Sequence, residues 1–376
     1  MHRRKAGKLL AATVAAAVLA TAAPGQGKPS DKWRAHNAAS YLVRFQKSDG
    51  SVTGFSAVGS TADFVLALAA ARRGPRAIDD AIGYLRGQVS AGVVTGMGSK
   101  AKVVLAVVAA GGDPRAFGGH DLVGEIEASQ QPSGEYGDGS DFLGVSDHAL
   151  AMLALEASGA QPTAGAVRWL VSAQCPDGGW QFDEPHDPRT DNRHCRAKDP
   201  NAGDFSTSDT NITSYAVQAL VASGRRYHLG ARPFSYFWQA RDRHMHGWVY
   251  SATKVCGKRI TKGCFLTDAN STALVIQAYL AAGKKIPRGS MLALRSLQYP
   301  RLCGKAGGAF AFTWKKRNGR LHRDPSRKDA VIGGESNATN VGATIGAVPA
   351  LMRQALPSKK RVVTDPVPQK RPCRSR

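Results

Sequence analysis

Two aspartate–asparagine pairs recur in the same local setting, Asp209 with Asn211 and Asp268 with Asn270. Each stands two residues apart, just before an Ala/Leu/Val-rich run. Such pairs could supply two carboxylates for acid/base work, or a set of hydrogen-bonding groups for a bound molecule. Asn337 and Asn340 repeat the amide half of the pattern near the C-terminus, and Asp63 and Asp147 occupy comparable points earlier in the chain. The competing explanation is local: at a helix start these residues satisfy free backbone N–H groups and meet the positive end of the dipole. His148 follows Asp147 directly, as a general base oriented by a carboxylate could. Neighbouring helical residues point about 100° apart, which favours a buried histidine satisfied by other groups. Asp79-Asp80 reads as a solvated pair on a charged helix.

Cysteine chemistry points to staples. None of the six forms a C-x-x-C, and His194-Cys195 has no companions at zinc-ligand spacing. No metal or other cofactor is therefore expected. Six cysteines allow 15 pairings. We favour Cys175 with Cys195, Cys256 with Cys264 and Cys303 with Cys373, because each bridge would close or anchor a polar insertion.

The elements that must carry these residues repeat. One unit recurs: a helix ending near Gln, a Gly-rich turn often holding an aromatic, then an Ala/Leu-rich helix ending at Gly. The glutamines stand at 46, 88, 130, 174, 239 and 298, and the two wider final steps coincide with polar insertions at 183–205, 251–265 and 313–335. Ser60, Ser146, Ser208, Thr267 and Ser336 are expected N-caps, while Gly74, Gly111, Gly159, Gly224 and Gly283 close the second helices. The second helices are apolar almost all round and so should be buried, whereas the first carry charges such as Arg86 and Arg168. Six buried helices inside six amphipathic ones make an all-α ring, an α/α toroid (α6/α6 barrel) of six helix-pair repeats.

At QCPDGGWQF (Gln174 to Phe182) the chain resembles the QW-type repeat of squalene/hopene cyclases and protein prenyltransferases. The turns ending at Phe55, Tyr136, Trp248 and Phe310 resemble weaker copies. The resemblance spans roughly 35–355 and implies a toroid with a central cavity, one mouth of which is lined by inner-helix N-termini. It also implies a packing role for the turn aromatics. Cobalamin-carrier toroids are a more distant likeness, and they append a β-domain where only a short basic tail follows here. The family's chemistry does not carry over: no D-x-D-D occurs, and Asp268-Ala269-Asn270 has Asn where the zinc-binding Cys would stand.

Residues 1–22 read as an export signal, with a basic start, an apolar run of about 15 residues from Leu9, and small residues at Ala20-Thr21-Ala22. The run is short for a membrane span, which needs ~20. A linker over 23–34 precedes the toroid at 35–355, and 356–376 reads as a basic, mostly disordered tail. The formal charge is +23. With the basic leader and tail set aside the body is still basic, which suits an anionic cell-envelope surface and, lacking basic–aromatic interleaving, not nucleic acid. The expectation is a secreted or envelope-associated toroid that binds a small apolar or amphipathic ligand, or an envelope partner, without the family's catalytic motifs. The alternative is an enzyme: a diverged terpene cyclase, or a hydrolase or lyase working through Asp209 and Asp268. Oligomeric state is left open.

Overall fold

Ala-rich helices with no polar face have to be surrounded by protein, and that requirement sets the architecture. The computed structural model describes residues 30–137, 144–182, 188–189, 194–195, 207–224, 232–299, 307–324, 338–358, 363 and 365–367. Its helices come in pairs: α1 (Asp31–Leu42) and α2 (Ala57–Ala71), α3 (Pro75–Ser90) and α4 (Met97–Ala110), α5 (Leu122–Ala128) and α6 (Gly144–Ser158). The chain continues with α7 (Ala164–Ser172), the short strands β1 (Trp180–Gln181) and β2 (Ser208–Asp209), then α8 (Thr210–Ala222) and α9 (Arg232–Gln239). It finishes with α10 (Ala269–Ala281), α11 (Ser290–Leu297), the hairpin β3 (Thr313–Arg317) and β4 (Arg320–Asp324), and α12 (Ala338–Leu351).

The second helix of every pair packs against the second helices of its neighbours, and α12 packs on α2, so the inner ring closes. Residues 64 to 71 of α2 are all buried, as are 103 to 107 of α4. Outer helices show the opposite pattern; α3 buries Ala77, Ile78, Ala81, Leu85 and Val89, a stripe at helical spacing, and exposes Arg76, Asp79, Asp80, Gly83, Arg86, Gly87 and Ser90. This is an all-α, α/α toroid.

The repeated glutamine has a mechanical role. Gln46 Nε2 donates to Gly50 O of its own turn and to Ala77 O of the next outer helix, at 3.1 and 2.7 Å. Gln130 donates to Gly134 O and to the Thr163 hydroxyl that caps α7. Gln298 donates to Gly308 O and to Arg34 O, tying the sixth repeat to the first. The turn glycine completes the joint: at Gly50 (φ 87°) a Cβ would sit 2.2 Å from Asp80 O of the neighbouring helix, a place open only to glycine.

Two of the six glutamines do not act this way. α3 runs on to Ser90, so Gln88 lies within the helix. Gln239 is exposed at the end of α9, and Arg241 takes the joint instead. Arg241 bridges Trp248 as Gln46 bridges Val52, and its guanidinium donates to His246 O and Arg288 O, at 3.4 and 2.6 Å. His246 then occupies the left-handed position of the turn glycine, at φ 66°. Its side chain is exposed apart from a contact with Gly289, so His246→Gly removes strain and loses little packing. We expect a gain of about 1 kcal/mol in unfolding free energy by chemical denaturation; no gain would mean that the histidine contributes a contact of its own.

The insertions also depart from plain loops. Residues 313–324 form an antiparallel hairpin whose turn, Asn318-Gly319, has φ of 48° and 75°. Asn-Gly is the favoured two-residue hairpin turn because both positions need positive φ. Disulfides join Cys175 to Cys195 and Cys256 to Cys264. Cys303 and Cys373 lie outside the described residues, as do residues 1–29 and therefore the leader. Among the described residues no helix is long and apolar enough to cross a membrane. At the other end of the chain, Asp365 O accepts from Gly74 N and its carboxylate approaches Arg73, so this part of the tail rests on the α2–α3 turn.

Candidate functional site

The inner helices begin with side chains that close their own first turns. Asp209 caps α8, accepting from Asn211 N and Ile212 N at 2.6 and 3.0 Å. Asp268 caps α10, accepting from Ser271 N at 2.7 Å. Ser56 caps α2. The expected caps Ser60, Ser208 and Thr267 are displaced by one to four residues, because the Asp side chains and Ser56 reach the free N–H groups first. Ser146 is interior to α6, which starts at Gly144, and Ser336 lies outside the described residues. Asp147 caps the neighbouring inner helix: its Oδ2 accepts from Gly98 N at 3.0 Å, serving α4, whose own cap residue is Gly96.

Burial pushes the Asp209 carboxyl up to about 6 against the bonds from Ile212 and Asn211. It pushes Asp268 up to about 7 against the Ser271 bonds, and the charge of Asp209 adds to the rise. Both are acids whose ionised form the protein resists, a property shared with catalytic carboxyls. Their surroundings are structural, however. Asp209 pairs with Trp180 in the β1–β2 ladder, and Asp268 bridges Trp248 and Thr313.

His148 belongs to a register of its own. In four repeats a threonine of the inner helix accepts from the backbone N–H of the turn: Thr61 from Val52, Thr213 from Trp180, Thr272 from Trp248 and Thr344 from Phe310. In the third repeat His148 Nδ1 takes that bond from Tyr136 N at 2.8 Å, and Nε2 faces Ala166 O at 3.0 Å. The first contact makes Nδ1 the bare nitrogen and puts the proton on Nε2. Burial depresses its pKa to about 3. Both nitrogens are committed and the ring lies between Tyr136 and Trp169, so it is no general base.

A cavity of about 510 Å³ runs inside the inner ring. All six inner helices contribute to its wall. The loop with Thr53, Phe55 and Ser56, together with Phe182 and Phe312, lines its helix-N-terminal side. Leu66, Leu274, Ile345 and Pro349 line it deeper, and Ala355, Leu356 and Ser358 line it beyond the end of α12. That last segment is pinned by Gln354 Nε2 to Ala70 O and by Leu356 N to Gln218 Oε1, at 3.1 and 2.9 Å.

Asn211 and Asn270 line this cavity, while Asp147, His148, Asp209, Asp268 and Asn340 are not in its wall. Asn340 is buried, its Oδ1 without a partner among the described residues, and Asn337 lies outside them. The cavity's charged pair joins Asp63, which the sequence pattern named, to Lys102, which it did not. Lys102 of α4 meets Asp63 of α2 at 2.7 Å, with Tyr215 of α8 also in the wall. Burial opposes the charge of Lys102, but Asp63, with Tyr215 and Asp147, holds its pKa above the ordinary lysine value. Burial likewise raises the Tyr215 phenol. A lone Lys within the apolar run KVVLAVVAA was the available signal. Elsewhere, Cys175, His194 and Cys195 lie within 4.8 Å of one another, but both sulfurs are held in the disulfide.

The ring and its axial cavity define the class, an α/α toroid. No family model matches the chain, and no curated protein does. Solved structures do match. The unsaturated glucuronyl hydrolase from Bacillus sp. GL1 aligns with a TM-score of 0.56 at 10% identity, covering 87% of this chain and 97% of that one. The type II terpene cyclase MstE from Scytonema, in complex with geranylgeranyl dihydroxybenzoate, aligns at 0.51 and 13% identity, covering 86% and 97%. The GH76A α-1,6-mannanase of Salegentibacter aligns at 0.50 and 10% identity, covering 86% and 100%. At such identities the likeness is one of fold, and the fold hosts unrelated chemistries.

Proposed function

We propose that this chain is an exported toroid that binds a small amphipathic ligand in its axial cavity and is drawn electrostatically to anionic envelope polymers. The observation that carries the reading is the wall of the 510 Å³ cavity, apolar at Leu66, Leu274 and Ile345 and polar at Asp63, Lys102, Asn211 and Asn270. That volume falls in the range of small-molecule sites. Two disulfides suit an oxidising compartment, and the leader-like N-terminus and basic balance support export and envelope attachment.

A hydrolase or lyase is supported less well. Among the described residues Asp63 is the one carboxylate in the cavity wall, and it is closed on Lys102. Asp209 and Asp268, whose carboxyls burial pushes up to about 6 and about 7, are occupied as caps.

Native mass spectrometry tests the binding reading on protein recovered from the culture medium and from a salt wash of the envelope fraction at about 1 M, where surface attraction is screened. The expected result is an adduct of small-molecule mass that leaves on denaturation, with recovery in the wash. Protein that carries no adduct in either fraction would count against a binding cavity. Absence from the wash would count against electrostatic attachment.

A further inference from the structure

We propose that the cavity selects a neutral amphiphile whose polar end is a hydroxyl group. The inference rests on the binding reading above and names the class of ligand.

The two charged side chains of the wall are each other's partners, Lys102 Nζ lying 2.7 Å from Asp63 Oδ2. These two charges sum to zero, and Asp147, which also acts on Lys102 from outside the wall, accepts from Gly98 N, so the wall itself offers a charged head group no net attraction to offset the loss of its water. An anionic head at Lys102 would also meet Asp63, and a cationic head at Asp63 would meet Lys102. Either arrival leaves one charge of the original pair without its partner.

The other polar side chains of the wall are neutral, among them the amides of Asn211, Asn270 and Gln277, the hydroxyls of Ser60 and Ser146, and the Tyr215 phenol. They both donate and accept, as a hydroxyl does and a carboxylate or ammonium does not. The Asn211 amide is still uncommitted on its oxygen side, since Oδ1 has no donor among the described residues. Beyond these groups Leu274, Ile345 and Leu356 give an apolar body matching surface, and hydroxyl matching at the polar end fixes its direction.

The test is calorimetric titration of the full chain with three probes of equal chain length, 1-decanol, decanoate and decylamine, at pH 7.5. Wild-type protein is expected to bind 1-decanol at least about tenfold more tightly than the other two, a difference of ~1.4 kcal/mol. Asp63→Asn frees the Lys102 charge and should move the preference to decanoate. Lys102→Met frees the Asp63 charge and should move it to decylamine. Near-UV circular dichroism establishes that each variant is folded; if either is not, the wild-type ranking decides. Equal affinities, or tightest binding of decanoate or decylamine by the wild-type protein, would overturn the hydroxyl assignment and leave a binding cavity standing. Binding of none of the three would overturn the binding reading and this inference with it.

Discussion

Asp268→Asn is expected to stabilise the protein by about 3 kcal/mol at pH 8 and by almost nothing at pH 4. Asp268 is 4% exposed, and burial raises its carboxyl to about 7. In the unfolded chain it titrates near 3.9. Between those values the folded state keeps a proton that the unfolded state has released, so stability falls as pH rises, by ~1.4 kcal/mol per unit. The loss is complete above pH 7. An asparagine has no proton to lose, and its amide oxygen can still accept from Ser271 N, so the variant escapes the decline. We allow about 1 kcal/mol for the weaker cap of a neutral amide. Denaturation curves at pH 4, 6 and 8 check this: the variant's advantage should grow across the series. A constant difference, or a loss at pH 8, would show that the carboxylate is stabilised where it sits.

The second large effect lies at His148. His148→Ala is expected to cost about 4 kcal/mol, combining a void in a fully buried site with two lost hydrogen bonds. His148→Thr should recover part of this, because threonine accepts the same turn N–H in four other repeats, but it leaves Ala166 O without its donor. The pH sign is opposite to that of Asp268. A base whose folded pKa is lowered from ~6.5 to about 3 contributes stability that is present above pH 6.5 and lost as pH falls toward 3. Nitrogen chemical shifts should show a bare Nδ1 and a protonated Nε2 down to about pH 4. Doubly protonated imidazole at pH 5 would contradict the buried, satisfied state.

The six-fold repeat was legible because helix period and apolar composition recur in every unit, with a glycine after most inner helices. α2 and α12 are followed instead by left-handed Arg72 and Arg353, and the expected Gly74 caps the start of α3. Letters alone misplaced two joints. Gln239 matches the pattern, yet the chain uses Arg241, whose longer fork spans the same two carbonyls. The hairpin at 313–324 was hidden by its charge, since KKRNGRLHRD reads as a polar insertion unless Asn-Gly is given its turn meaning. At the site, Asp209 and Asp268 have the sequence signature of both caps and ligands, and separating the two takes the direction of each side chain. The Lys102–Asp63 pair joins different repeats, and spacing within one repeat carries no trace of it.

Ring closure has a kinetic consequence. An open stack of repeats can nucleate anywhere and grow one unit at a time, each new unit rewarded by the last. Here the joint between Arg34 and Gln298, and the Asp31–Arg295 pair beside it, each span 264 residues of chain. No partial array satisfies them. Every shorter intermediate presents two sticky edges with the apolar faces of α2 and of its last inner helix uncovered, and the entropy of bringing them together falls on the final step. The chain should therefore fold slowly and late, after its last helix has emerged, and its arrested intermediates should associate edge to edge.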